Sequence, residues 1–154
     1  MGRFFSLVQI KNNGSREQFL KAFCDVMKKR SLVPCSEKES SVSYILAFSE
    51  SGKWVTLASK EYRDNPKQVK DDAKQTAAEM KTSSFSMDVV DSDWTYIELH
   101  TGADVHDTVM VGRSEFDEEH SPKGRRECWE PILAPGKTWE QISEIWNKNE
   151  VFVE

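Results

Sequence analysis

The order in which strand-like and helix-like segments alternate along the chain constrains the fold more than any other feature. Residues 4–10 are rich in β-formers and end at a breaker, residues 11–14. Ser15 is placed to cap a helix that follows, with Gln18 at the capping-box position. Apolar residues at helical spacing predict one buried face, formed by Phe19, Leu20, Phe23, Val26 and Met27.

Two further strands and a second helix are predicted in the middle of the chain. Residues 42–48 and 54–59 have strand composition and are joined by a short polar turn. Because residues 42–48 are largely apolar on both faces, we expect a central strand that is either covered on both sides or flanked by neighbours. Asn65 is the predicted cap of the second helix, with Pro66 at its first position and Gln68 completing a capping box.

Three more strands are predicted at residues 85–90, 94–100 and 108–112, and a last helix is predicted to begin at Thr138, with Gln141 as its capping partner. The first six elements therefore follow the βαββαβ order of ferredoxin-like folds. We predict an α+β fold: a ferredoxin-like βαββαβ core extended by an additional β-hairpin, with a C-terminal helix. The predicted core comprises Phe19, Phe23, Met27, Ile45, Leu46, Leu57 and Ile97.

A length of 154 residues favours a single domain. Residues 1–112 form its predicted α+β core, and residues 113–137 form a long charged loop with three prolines. Residues 138–154 are the predicted C-terminal helix and tail, which pack on the same domain. We expect residues 114–128 to be the least ordered internal segment, because few apolar side chains anchor them.

Charge and hydropathy exclude two classes of partner. With 21 basic and 26 acidic side chains the net charge is −5, whereas nucleic-acid binding needs a basic surface. No segment approaches the roughly 20 apolar residues that a membrane-spanning helix requires. Three cysteines are too few, and odd in number, for a disulfide framework, so we expect a reducing, cytoplasmic location.

The segment 91–107 holds a rich set of carboxylate and imidazole groups. Its weak metal-ligand candidates are His100, His106, Asp104 and Asp107, but their spacing fits no metal motif. Turn carboxylates more often cap the backbone, and histidines are more often surface residues. We therefore predict no metal and no other cofactor, and we expect both histidines to be surface residues, with His100 at the end of a strand and His106 in the turn that follows.

Catalytic motifs are also absent from the sequence. Cys128 and His120 are the only nucleophile and base that lie close together, and no acid with a defined spacing accompanies them. The chain contains neither a G-x-S-x-G elbow nor a phosphate-binding glycine loop. The sequence thus leans away from an enzyme without excluding one.

Aromatic residues among charges are typical of protein-binding surfaces. Trp129 lies in the charged loop outside any periodic pattern, so it is predicted either to be exposed or to anchor the loop. Trp94 opens a strand, and Asp91 and Asp93 form the turn before it. These four residues are the binding-site candidates.

Two functions remain open from the sequence. The first is a non-catalytic protein-binding module, such as an inhibitor, an immunity-type protein or an adaptor. The alternative is a small enzyme, or a binder of a small molecule or metal, with a pocket near His100 and His106. The sequence does not determine the oligomeric state.

Overall fold

The chain has an α+β fold, as predicted, in the residues that the computed structural model describes: 5–59, 65–90, 94–102, 104–112 and 123–147. Four α-helices and one six-stranded antiparallel sheet occur among these residues. None of the described helices is long and apolar enough to cross a membrane.

The predicted strands and helices occur in the predicted order, with one additional short helix at Arg126–Trp129. The sheet order is β2-β3-β1-β4-β5-β6, which differs from that of a four-stranded ferredoxin-like sheet, so the finer topology is not confirmed. Short 3-10 turns lie at Glu37–Glu39 and Glu130–Ile132. The bounds are β1 Phe5–Lys11, α1 Arg16–Lys29, β2 Tyr44–Phe48, β3 Trp54–Ser59, α2 Pro66–Glu79, β4 Ser83–Val90, β5 Trp94–Thr101, β6 Asp104–Gly112, α3 Arg126–Trp129 and α4 Trp139–Trp146.

Two helices begin with the capping boxes that the sequence predicts. The Ser15 hydroxyl accepts from the backbone N–H of Gln18 at 3.2 Å, and the Gln18 side chain accepts from the Ser15 N–H at 2.7 Å. Thr138 and Gln141 form the same reciprocal pair at the start of α4. Each pair satisfies two backbone donors that the first helical turn leaves without intrahelical partners.

The start of α2 follows the prediction only in part. The Asn65 side chain accepts from the N–H of Gln68 at 3.2 Å, with Pro66 at the first helical position. The predicted box at Gln68 is wrong, because the Gln68 side chain donates to the carboxylate of Asp72 at 3.1 Å instead of returning to the cap. A buried acceptor one turn along the helix is available to Gln68 in place of the cap.

The contacts divide the chain into two compact units, and the first contains the described residues 7–59, 65–86, 100–102 and 104. Within it β3 pairs antiparallel with both β1 and β2. Five partly buried apolar residues pack against its core: Leu32, Tyr44, Leu46, Phe48 and Met80. The core itself comprises Val8, Ile10, Phe19, Phe23, Val26, Met27, Val55, Leu57, Val69, Ala73 and Ala77.

The predicted burial of Ile45 is wrong, since 65% of this residue is exposed. Ile45 pairs with Ala58, which is also exposed, whereas Leu46 pairs with the buried Leu57. Alternate residues of a strand point to opposite faces. Among the described residues, only the face of β2 that carries Leu46 is therefore covered, and β2 is the outermost strand of the sheet. The expectation of a central strand covered on both sides is wrong.

The second unit contains the described residues 5–6, 87–90, 94–99, 105–112 and 123–147. Ile97 is buried in it, as predicted, together with Val109 and Trp129. β6 begins at Asp104, four residues earlier than predicted. The prediction that both units belong to one domain stays a prediction.

The predicted loop at 113–137 contains regular structure in its second half. Residues 113–122 lie outside the described residues, so the predicted disorder of 114–128 is assessed only from residue 123 onward. From there the chain forms the short helix α3 and the 3-10 turn that follows it. The ring of Trp146 packs edge-on against the rings of Trp129 and Trp139, with centroid distances of 4.9 and 5.7 Å. This aromatic packing replaces the unstructured loop that composition alone predicts.

Candidate functional site

An apolar groove of about 400 Å³ opens in the first unit, between α1, the segment 31–42 and the start of β2. Concave apolar sites of this size with a few polar groups are the usual places for ligands and for partner side chains. The residues that line the groove are Phe23, Cys24, Met27, Ser31, Leu32, Val33, Pro34, Cys35, Glu39, Ser41, Val42 and Tyr44.

The C-terminus of α1 sets the course of this segment. Leu32 N–H donates to the carbonyl of Met27 at 3.1 Å and Ser31 N–H donates to that of Lys28 at 2.9 Å, which is the hydrogen-bond pattern of a Schellman motif. Ser31 has a φ of +60°, the left-handed conformation in which such a motif reverses the chain. Leu32 then packs against the core, and Pro34 cannot continue a helix.

A polar cluster adjoins the groove through Tyr44, which lines it. The Tyr44 hydroxyl donates to the Asp72 carboxylate at 2.5 Å and accepts from the Arg30 guanidinium at 2.8 Å. Arg30 also donates to Asp72 at 2.5 Å, and Gln68 donates to the other carboxylate oxygen. Asp72 is completely buried. These bonds tie the end of α1 to β2 and α2.

The charges and hydrogen bonds of this cluster indicate a structural role beside the groove. Burial raises the pKa of Asp72, while Tyr44, Arg30 and Gln68 oppose that rise. Burial and the hydrogen bond to Asp72 raise the pKa of the Tyr44 phenol far above its usual value, so the phenol stays protonated. The Tyr44 ring stands edge-on to that of Phe23, with centroids 5.3 Å apart. Tyr44 therefore presents its ring, with its hydroxyl already bonded.

The charge of the groove comes from one side chain. Among the described residues that line it, Glu39 alone carries a formal charge, and it accepts a hydrogen bond from Ser36 at 2.8 Å. Hydrocarbon and two thiols form most of the remaining surface. Such a lining suits an apolar side chain with a cation beside it.

Trp129, the leading binding candidate from the sequence, is only 4% exposed. Its indole N–H donates to the Asp107 carboxylate at 2.7 Å, and Arg125 also binds that carboxylate. Desolvation raises the pKa of Asp107, but the hydrogen bonds from Arg125 and Trp129 lower it by more. The contacts agree with the loop-anchoring alternative, and direct binding of a partner by Trp129 stays a prediction.

Of the other binding candidates, the structure describes Trp94 alone. Trp94 is half-buried at the start of β5, and its binding role also stays a prediction. Asp91 and Asp93 lie outside the described residues. So does His120, the proposed base for Cys128. Cys128 itself is buried, and burial raises the pKa of its thiol, which disfavours the nucleophilic thiolate.

His100 is 1% exposed, so its predicted surface position is wrong. It is a strand residue near the end of β5, and burial, together with the charge of Lys74, lowers its pKa to about 4. His106 is exposed and belongs to the second unit. Asp104 is exposed as well, and the Asp107 carboxylate accepts hydrogen bonds from Arg125 and Trp129.

The metal-ligand candidates have no shared centre among the residues that the structure describes. No group of three or more His, Cys, Asp or Glu side chains is arranged there to hold a metal ion. The Arg30–Tyr44–Asp72 cluster was missed by sequence reasoning. Asp72 gave the available signal, because it lies beside the apolar stripe of α2, next to Ala73.

Comparison with known proteins adds no assignment to this geometry. Neither a protein family model, nor a curated protein, nor a solved structure matches the chain.

Proposed function

We propose that the protein is a non-catalytic protein-binding module that takes an extended, apolar segment of a partner protein along β2 and the adjoining groove. The observation that carries this proposal is the position of the groove beside the outermost strand of the sheet. Tyr44 belongs to both features, since it lines the groove and begins β2. Inhibitors, immunity-type proteins and adaptors all fit this class.

The edge of β2 supplies backbone groups for a partner strand. Ser49 N–H donates to the Trp54 carbonyl at 2.9 Å, which fixes the hydrogen-bonded positions of the β2–β3 ladder. Because such positions alternate in antiparallel pairs, the N–H groups of Leu46 and Phe48 point away from β3. No described strand pairs with that edge. An extended peptide can add there as a further strand.

The side chains around the groove indicate the chemistry of the partner segment. Val33, which lines the groove, is 75% exposed. Exposed apolar residues beside a concave site favour an apolar side chain of the partner. The charge of Glu39 at the groove favours a Lys or Arg next to that apolar residue.

A peptide selection tests this function. Peptides selected from a random displayed library are synthesised, and their affinities for the protein are measured by fluorescence polarisation. We expect peptides with an apolar residue adjacent to a Lys or Arg. Val33→Asp should weaken their binding at least about tenfold, because a carboxylate would then be desolvated in the interface.

Val105 supplies a matched control. It is 52% exposed and lies on β6 in the second unit, so Val105→Asp should change the affinity less than about twofold. Equal losses in both variants would contradict the groove as the binding site. A selection that yields no peptide tighter than about millimolar would contradict the binding function itself.

We also propose that the elements from β1 to β4 form a ferredoxin-like core, which β5 and β6 extend. Its support is the βαββαβ order and the antiparallel pairing of β3 with both β1 and β2. A crystal structure tests it through the strand order and the sheet face that each helix covers.

A cytoplasmic location remains part of the proposal and is supported by the free thiols of Cys24, Cys35 and Cys128. The alternative of an enzyme near His100 and His106 has less support. His100 is buried with a lowered pKa, and no observation on His106 favours a reaction.

A further inference from the structure

We infer that Cys24 and Cys35 are a site of reversible oxidation, and that a disulfide between them closes the groove to its partner. The two thiols line the same groove, Cys24 from α1 and Cys35 from the segment that faces it. The closure of the groove as a regulatory step rests on the proposed function. Formation of the disulfide does not.

The position and access of the two thiols support their pairing. Cys35 is exposed and Cys24 is half-buried, so an oxidant in solution reaches Cys35 first. Ten residues, 25–34, separate the two cysteines along the chain. This short loop keeps the thiols at a high effective concentration relative to each other.

The segment that carries Cys35 is held weakly. Residues 33–35 make no backbone hydrogen bond to any other described residue, whereas Leu32 is bonded to Met27 and Glu39 to Ser36. Few backbone hydrogen bonds and high exposure are the marks of a segment that opens at low free-energy cost. Residues 33–35 can therefore move while both flanking turns stay in place.

Disulfide geometry determines the direction of that movement. A disulfide requires Cα atoms about 4.4–6.8 Å apart. Both thiols are free in the structure, with the groove open beside them. Because Cys24 belongs to α1 and both thiols line the open groove, the bond would join Cys35 to α1 within the groove and fill space that a partner side chain would occupy.

Hydrogen peroxide is the oxidant of this step. The Cys35 thiolate attacks one peroxide oxygen, which forms a sulfenic acid and releases hydroxide. The Cys24 thiolate then attacks the sulfenic sulfur, forms the S–S bond and expels the second hydroxide. The two thiol protons convert both hydroxides to water, so two thiols and one peroxide give one disulfide and two waters.

Cys128 is an internal control for this chemistry. It is buried in the second unit, and burial raises the pKa of its thiol. Both properties slow its reaction with peroxide. Oxidation confined to Cys24 and Cys35 is therefore expected.

The first experiment treats the full chain with hydrogen peroxide, followed by alkylation and peptide mapping by mass spectrometry. We expect an intramolecular Cys24–Cys35 disulfide, seen as the loss of two hydrogens, with Cys128 alkylated after denaturation. Cys24→Ser and Cys35→Ser should abolish this species, and Cys128→Ser should leave it unchanged. Sulfinic acid at Cys35, links between chains, or pairing with Cys128 would each overturn the inference.

The second experiment measures closure without any partner. Methyl NMR in the presence of a soluble gadolinium chelate reports the solvent access of the Val33 and Val42 methyl groups in the groove. Oxidation should lower the relaxation enhancement of these methyl groups at least about twofold, reversibly with dithiothreitol, while that of Val105 stays constant. A disulfide that leaves groove access unchanged would refute the closure.

The selected peptides connect the inference with the proposed function. Oxidation should weaken their binding at least about tenfold in the wild-type protein and leave the affinity of Cys35→Ser unchanged. A disulfide and groove closure without any binding peptide would refute the function and leave the oxidation site standing. Peptide binding without a disulfide would refute the oxidation site and leave the proposed function standing.

Discussion

Gly124 occupies a position where a single added methyl group tests the packing of the second unit. Its φ is +79°, and a Cβ atom there would lie 2.7 Å from a methyl of Val109. The same atom would lie 3.2 Å from the ring of Trp146 and 3.2 Å from the indole nitrogen of Trp129. That nitrogen donates to Asp107, so displacement of the ring also strains a partly buried hydrogen bond.

The expected loss in Gly124→Ala has two components. A left-handed conformation costs a residue with a Cβ atom about 1–2 kcal/mol relative to glycine. Crowding in a packed core costs about 1–3 kcal/mol more. We therefore expect the free energy of unfolding to fall by about 2–5 kcal/mol in Gly124→Ala.

Gly136 separates the two components. Its φ is +81°, but a Cβ atom there would have nothing within 4 Å. Gly136→Ala should therefore lose only the backbone component, about 1–2 kcal/mol. The effect of alanine on the unfolded chain is the same in both variants and cancels in their difference.

Urea unfolding followed by tryptophan fluorescence measures both variants, because Trp129, Trp139 and Trp146 all belong to the second unit. We expect the Gly124→Ala midpoint to be the lower of the two, with unchanged slopes. If the two variants differ by less than about 0.5 kcal/mol, the tryptophan cluster does not pack around Gly124 as described.

Three further predictions concern the first unit, and urea unfolding measures each. Arg30→Met leaves the Asp72 carboxylate buried without its cation, so the free energy of unfolding at pH 7 should fall by about 3–5 kcal/mol. The double variant Arg30→Met with Asp72→Leu should restore most of this loss. A loss below about 1 kcal/mol in Arg30→Met would contradict a buried ion pair. The pKa of His100 is about 4 in the folded chain against 6.5 for the free side chain, so the unfolded chain takes up its proton first as the pH falls. Stability should therefore drop by about 3 kcal/mol between pH 6.5 and pH 4, and this contribution should disappear in His100→Gln but persist in His106→Gln. Phe23→Ala should cost about 3–5 kcal/mol, and a loss under 1 kcal/mol would remove α1 from the core.

The sequence by itself determined the features that depend on neighbours within four residues. The capping boxes of Ser15 with Gln18 and of Thr138 with Gln141 form as predicted, because side chain and backbone meet within one helical turn. The apolar spacing of α1 likewise identified Phe19 and Phe23 as core residues. Such local patterns do not depend on where a helix or strand packs in the fold. They identify helices and strands, and so they also predicted the α+β class.

Only the tertiary structure decided which faces of those elements are covered. Ile45 is exposed because its face of β2 is open, whereas His100 is buried near α2. The tertiary structure likewise brings together the Arg30–Tyr44–Asp72 cluster beside the groove, whose members lie 14 to 42 residues apart in the sequence. Local periodicity carries no information about such distant partners, and burial and charge pairing are properties of the elements that meet in space.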